Sequence, residues 1–332
     1  MSRISGRAKA LAHLEMTRPY TMFHAGLVAV AGAELASSGD GAPWRVALAG
    51  AVTICGWEAG LYAGDYYDRD LDARSKPFRP VPSGRVSPRE AFLTMVALIV
   101  AGYGFALALG PANLALAIVT TILGIAYSKT FKAQALLGNF DRGVLGICAA
   151  LFGAFAVTAR LNGPVLLLLV VVFFHDSASN LVGTIRDVEG DRAAGYRTVP
   201  VVYGVPGAAC LAAGLALGAA VAGVALMLVL SPAPLAWTLF LCALIVAAFV
   251  YLRLLAGRAD LTRGLALGAH KYLVVERLLL FTGFIAVYIP PAAALALLAG
   301  TLAATVGAQV LLRDRHERQQ LREPAASGLA QG

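Results

Sequence analysis

The chain has 332 residues, of which 59% are hydrophobic and 14% charged, with a mean hydropathy of +0.73 and a net charge of +8. Soluble domains carry about 25% charged residues, so this composition excludes one and points to an all-α, polytopic transmembrane bundle. Four cysteines (Cys55, Cys148, Cys210, Cys242) lie in apolar runs without metal-ligand spacing, which argues against a disulfide framework or a cysteine metal site.

Residues 1–19 are polar and basic, with Arg3, Arg7, Lys9 and Arg18. They read as an N-terminal segment at the membrane surface, part of it helical with Ile4, Leu11 and Leu14 toward lipid. No short apolar core with a cleavage site marks a removable signal peptide. Ten apolar runs follow, at 20–37, 46–64, 89–109, 112–128, 139–159, 164–182, 205–230, 234–252, 271–289 and 292–312. Each is near the ~20 residues that a spanning helix needs. Residues 20–312 therefore form one transmembrane domain of nine to ten spans. Residues 313–332, rich in Arg, Gln, Ala and Gly, are expected to be a frayed tail.

With ten spans, the N-terminus, the even-numbered connections and the tail share one side. All but Arg45, Arg160 and Arg277 of the 27 Lys and Arg fall there; Arg277 lies within a span. Arg142 counts in this map with Lys129 and Lys132, in the connection between spans four and five. The positive-inside rule puts that side in the cytoplasm, for a protein of the cell (inner) membrane. The charge of +8 is explained by this topology, so no nucleic-acid partner is expected.

Charge is concentrated at Gly64-Asp65-Tyr66-Tyr67-Asp68-Arg69-Asp70-Leu71-Asp72, after the second span. On a helix Asp65, Asp68 and Asp72 are i, i+3 and i+7 and share one face. Such carboxylates repel one another unless a cation, water or a divalent metal sits among them. A shift of 119 residues brings a second cluster into register: Gly183 on Gly64, Asp187 on Asp68, Glu189 on Asp70, Asp191 on Asp72. The chain thus has two pseudo-repeated halves, each carrying an acidic cluster after an even-numbered span. Two such clusters across one cavity, with Lys and Arg nearby, suit a diphosphate bridged by Mg²⁺. The apolar interior suits a greasy tail, so the implied substrate is an isoprenyl diphosphate.

At these residues the chain resembles the UbiA superfamily of intramembrane prenyltransferases. Asp65, Asp68 and Asp72 match the family's Asn-Asp-x-x-Asp-x-x-x-Asp motif, with Gly64 in place of the leading Asn. Lys76 to Gly84 is similar to its Arg-Pro-x-Pro-Ser-Gly loop. Asp187 and Asp191 match its Asp-x-x-x-Asp, and Gly195, Thr198, Pro200 and Gly204 continue in the family manner. Tyr127, Ser128, Lys132 and Asn139 resemble its Tyr-Ser…Lys…Asn segment. The second motif is nearer the quinone and chlorophyll-type branches than the hydroxybenzoate branch. The family usually has nine spans, one fewer than counted here.

The resemblance implies Mg²⁺-dependent transfer of an isoprenyl group to a hydrophobic, aromatic or quinone-like acceptor within the bilayer. The alternative is a terpene cyclase on the same scaffold, needing no acceptor. Asp68, Asp72, Asp187 and Asp191 are the expected metal ligands, with Asp65 beside them. Lys76, Arg79, Lys132 and Arg186 are candidates for the diphosphate. Tyr127, Tyr66 and Tyr67 are candidates to face a carbocation. Charges inside spans are costly and mark function. Glu58, two turns deeper than Asp65, and Asp176 and Asn180, an i, i+4 pair on span six with His175, are the expected acceptor-site residues. His24 reads as an interfacial histidine, and Glu276 with Arg277 as an internal pair away from the site.

Overall fold

A computed structural model describes residues 5–313. Arg3, Ile4 and the tail beyond 313 lie outside the described residues. The chain folds as α1 (Gly6–Thr17), α2 (Phe23–Ser37), α3 (Pro43–Tyr67), α4 (Arg69–Ser75), α5 (Pro88–Leu109), α6 (Pro111–Lys129), α7 (Ala135–Val157), α8 (Gly163–Arg186), α9 (Val188–Ala193), α10 (Val199–Leu230), α11 (Pro234–Ala256), α12 (Arg263–Ile285) and α13 (Pro291–Ala308). Each of the ten apolar runs is helical. Eight of these helices, among the described residues, are long and apolar enough to cross a membrane. The others are α2, at 15 residues, and α12, which carries Lys271, Glu276 and Arg277.

Proline opens most of the long helices (α3, α5, α6, α8, α10, α11 and α13), where a missing N–H costs nothing. A Ser87–Glu90 capping box also starts α5. The whole link between α5 and α6 is Gly110, at φ 147, a backbone conformation that favours glycine.

The main core joins α2, α7 and α8 to α10–α13, through Leu27, Leu35, Leu168, Leu226, Phe240 and Phe281. In it α2 and α7 meet backbone to backbone. A methyl group on Gly153 would overlap the Ala29 carbonyl, and one on Gly32 the Ala150 carbonyl. On the other side α3, α5 and α6 stand further from α7 and α8, and a cavity opens between them. Leu107, Ile122, Leu217, Ile245 and Leu252 are exposed on outer faces, as lipid contact requires.

Three sequence expectations need correction. Helix α10 starts at Val199, six residues early, although its backbone leaves helical geometry at Gly204 (φ 78), with Pro206 just after. The break explains why hydropathy places the start at 205. Helix α12 starts at Arg263, eight residues early, because its first two turns are amphipathic. Arg142 is not a connection charge: it is on α7, facing the cavity.

Candidate active site

Helix α3 ends at Asp68 and α8 at Asp187, and a short helix follows each. Asp68 has φ −88, ψ 0, and Asp187 has φ −98, ψ 8. These bridge-region conformations interrupt the helices, yet the hydrogen-bond rhythm continues: Asp72 N–H donates to Asp68 O (2.7 Å) and Asp191 N–H to Asp187 O (3.0 Å). The single helix expected for the first motif is therefore two, and its three aspartates still share the cavity wall. The 119-residue repeat of the sequence is a repeat of this local geometry.

The cavity has a volume of about 790 Å³, inside the range of about 300–1,000 Å³ usual for ligand pockets. At one end lie Asp65, Asp68, Asp72, Asp187, Glu189 and Asp191. Cations from four segments stand among them. Arg18, just past α1, binds Asp65. Arg79 reaches Asp72 at 2.6 Å and Asp65 at 3.5 Å. Lys132 binds Asp68. Arg186 binds Asp187 at 2.5 Å, and Lys76 approaches it at 3.9 Å. Lys76 follows the first motif and Asp187 belongs to the second, so this contact closes the rim between the halves.

Burial opposes ionisation of Asp187, but Arg186, Lys76 and Arg79 outweigh it and hold the carboxyl far below the usual range. Asp191 goes the other way. Burial and the charge of Asp187 push it up to about 6, against a 3.1 Å hydrogen bond donated by Thr198 Oγ1. Arg79 is half-buried, and desolvation by itself lowers its basicity; Asp65 and Asp72 raise it above the ordinary value. Asp187 favours the charged form of Lys76, and Arg79, burial and Arg186 together bring its basicity below the ordinary value.

Away from this end the lining turns apolar, with Met95, Leu98, Ile99, Ala117, Leu145 and Phe152 from α5, α6 and α7. Tyr127 lines it, its hydroxyl accepting from Asn180 Nδ2 at 3.1 Å, and Asp176 is on the same wall. Other expected residues are elsewhere. Glu58 is buried but does not line the cavity, and neither of its carboxylate oxygens has a partner. Tyr66 packs on Tyr67, Phe92 and Arg69, and Tyr67 lies under Lys129; neither reaches the cavity. His175 points away from it, to Glu276 Oε2 at 2.8 Å. His24 is not interfacial: it is buried, with Nε2 2.8 Å from Asp176 Oδ1. Glu276 and Arg277 do not pair with each other but bind α8, through His175 and Ser179, and Arg277 lines the cavity.

Among the cavity residues that the sequence reading did not single out are Arg18, Trp57, Arg142 and Tyr196. Arg18 was legible only as a surface charge. The ring of Tyr196 stands close enough to Asp68 and Asp191 that burial and their charges raise its phenol. It sits between Gly195 and Thr198, both of which belong to the resemblance.

The pattern of helices, motifs and cavity defines an intramembrane prenyltransferase. Residues 25–270 match the UbiA prenyltransferase family, and the chain belongs to it. A digeranylgeranylglyceryl phosphate synthase of Methanopyrus kandleri is 32% identical over 73% of this chain and 86% of its own length. One of Natronomonas pharaonis is 34% identical over 60% and 72%. Among solved structures, a UbiA homologue from Archaeoglobus fulgidus bound to GPP and Mg²⁺ superposes with a TM-score of 0.63, at 17% identity, over 90% of this chain and all of the other. The chain is an integral membrane enzyme, a transferase of alkyl groups.

Proposed function

We propose that the enzyme takes an isoprenyl diphosphate, with Mg²⁺, and transfers its isoprenyl group to the hydroxyl of a glycerophosphate-type lipid alcohol. The observation that carries the donor side is the rim itself, where aspartates of both motifs meet with Lys76 3.9 Å from Asp187. The acceptor class follows the names of the relatives, digeranylgeranylglyceryl phosphate synthases, which contain no aromatic or quinone acceptor.

The donor set fits Mg²⁺ because it is carboxylate oxygen only, on a wall that also carries cations for the remaining phosphate charge. Asp68, Asp72, Asp187 and Asp191 would hold the metal, with Asp65 held back by Arg18 and Arg79. Mg²⁺ bound there neutralises charge on the leaving diphosphate. Lys76, Arg79, Lys132 and Arg186 bind and orient its oxygens. The donor C1–O bond breaks, the electron pair leaves with diphosphate, and the acceptor oxygen bonds to C1. The apolar lining excludes the water that would quench the allylic cation, and the Tyr127 ring faces it. Asp176, held by His24 at 2.8 Å and His175 at 3.2 Å, is the carboxylate on the wall that takes the acceptor's proton. The positive-inside bias puts this rim on the cytoplasmic side.

The test is purified protein with Mg²⁺ and geranylgeranyl diphosphate, with and without a prenyl glyceryl phosphate. Diphosphate release that needs both supports the proposal. A cyclic terpene formed without acceptor overturns it in favour of cyclisation, and release abolished only by an added aromatic competitor would return the acceptor to the quinone class.

A further inference from the structure

Arg142 has no place in the donor chemistry. It is on α7, inside a span, and lines the cavity. Arg18, Lys76, Arg79, Lys132 and Arg186 each have a carboxylate within 4 Å. Among the described residues Arg142 has none, and no acceptor takes a hydrogen bond from it. Its only close neighbours of note are two aromatic faces, Trp57 at 4.6 Å and Tyr127 at 5.5 Å from the ring centroids. The adjacent Asp141 is buried off the cavity, on another face of α7, with Oδ2 unpartnered. An arginine carries five N–H donors in a planar fork. The two rings accept none of its hydrogen bonds, so those donors are left for a ligand. A guanidinium in a span without a counter-charge is costly unless it serves a ligand or a pathway.

The placement fits one kind of ligand. Trp57 is itself fixed, its Nε1–H donating to Thr21 Oγ1 at 3.3 Å. Tyr127 is fixed by Asn180. The guanidinium therefore lies against two anchored rings, on the same cavity as Asp176 and Arg277. In α7 it is the eighth residue, about 10 Å along the helix from its start, so it is displaced from the rim toward the apolar part.

We infer that Arg142, set against Trp57 and Tyr127, is a second anion site that holds the phosphate of the acceptor lipid. This rests on the glycerophosphate reading above and adds the residue that selects for it. The phosphate docks on the guanidinium edge while the glycerol hydroxyl faces Asp176 and the donor C1. Arg277, whose guanidinium is held by Ser179, adds positive potential from α12 on the same cavity.

The experiment measures Kd for a prenyl glyceryl phosphate and for the same ether without phosphate, in full-length wild type, R142Q and R142K. The expected result is a strong preference for the phosphate in wild type. R142Q narrows the gap about 10- to 100-fold, as loss of a charge-assisted hydrogen bond predicts, and R142K falls between. Inorganic phosphate competing with the phosphorylated ether in wild type but not in R142Q would place the recognition at the phosphate itself. An equal gap in wild type and R142Q overturns the site. Titration with Mg²⁺ and a thio-diphosphate donor analogue verifies that each variant is folded. Failure of the proposed function reads differently: wild type then binds the phosphorylated ether no better than the neutral one, or binds it without forming product.

Discussion

In the first motif every aspartate has a cation on it: Arg18 and Arg79 at Asp65, Lys132 at Asp68, Arg79 at Asp72. In the second, Arg186 and Lys76 both serve Asp187, and Asp191 has a hydroxyl, that of Thr198. The backbone at the two sites is nearly superimposable in φ and ψ, so the difference is in side chains supplied from elsewhere. The first motif draws on Arg18 after α1, Arg79 before α5 and Lys132 before α7, whereas the position 119 residues on from Arg79 is the uncharged Thr198. A repeated fold has thus acquired unequal electrostatics: the carboxyl of Asp187 is held far below the usual range, and that of Asp191 one turn on is pushed up to about 6. Chemically equal residues in a repeat are not equivalent ligands.

Exchanging the strongly ionised carboxylate tests the comparison most severely. Asp187→Asn should lower kcat/KM by at least about 100-fold, since loss of even an outer partner of a metal ligand costs 10- to 100-fold. Steady-state assay at saturating Mg²⁺ checks this. A mild effect would mean that the second motif does not carry the metal.

The Asp191 carboxyl makes the next largest prediction. Its pKa is raised, so it is neutral below about pH 6 and ionised above. Metal binding requires the ionised form. The Mg²⁺ concentration for half-maximal activity should therefore rise up to about tenfold per pH unit on going down from pH 6. In Asp191→Asn that part of the pH dependence disappears. Thr198→Val is smaller. The lost hydrogen bond stabilised the ionised carboxyl, so the midpoint of the Mg²⁺ pH profile should move upward, with activity at pH 8 reduced only a few-fold.

The smallest effect is expected at Gly64, where the family motif has Asn. A Cβ there meets nothing within 4 Å, and the position lines the cavity. Gly64→Asn should fold as wild type and tighten Mg²⁺ or donor binding a few-fold, read by calorimetry. Loss of expression would show that the space is not there.

The acidic rim was legible in the sequence because it is built from local spacing. Asp65, Asp68 and Asp72, and Asp187 with Asp191, are fixed by helical periodicity, and a helix break at Asp68 and Asp187 does not change which face they share. The ten runs were legible because hydrocarbon contact demands unbroken apolar stretches. Polar residues within spans were not readable in the same way, since their partners come from other helices. Glu58 looked like a cavity residue from depth alone, and its burial off the cavity depends on how α3 is rotated. His24 looked interfacial, and finds Asp176 from 152 positions away. Arg142 was miscounted because a charge near a helix end serves equally for topology or for a ligand.

The chain of bonds through His24, Asp176, His175 and Glu276, with Arg277 on Ser179, joins α2, α8 and α12. These are the polar groups of the two helices least able to partition into lipid unaided, α2 by its length and α12 by its charges. Neither can bury those groups before α8 offers its own, because hydrocarbon provides no substitute partners. His24 of α2 must then wait for α8, which is made later, whereas α12 follows both in the chain and finds α8 already made. A one-turn shift of α12 against α8 breaks two of these bonds together, and a shift of α2 breaks the bond to Asp176, so the network fixes the vertical alignment of the three.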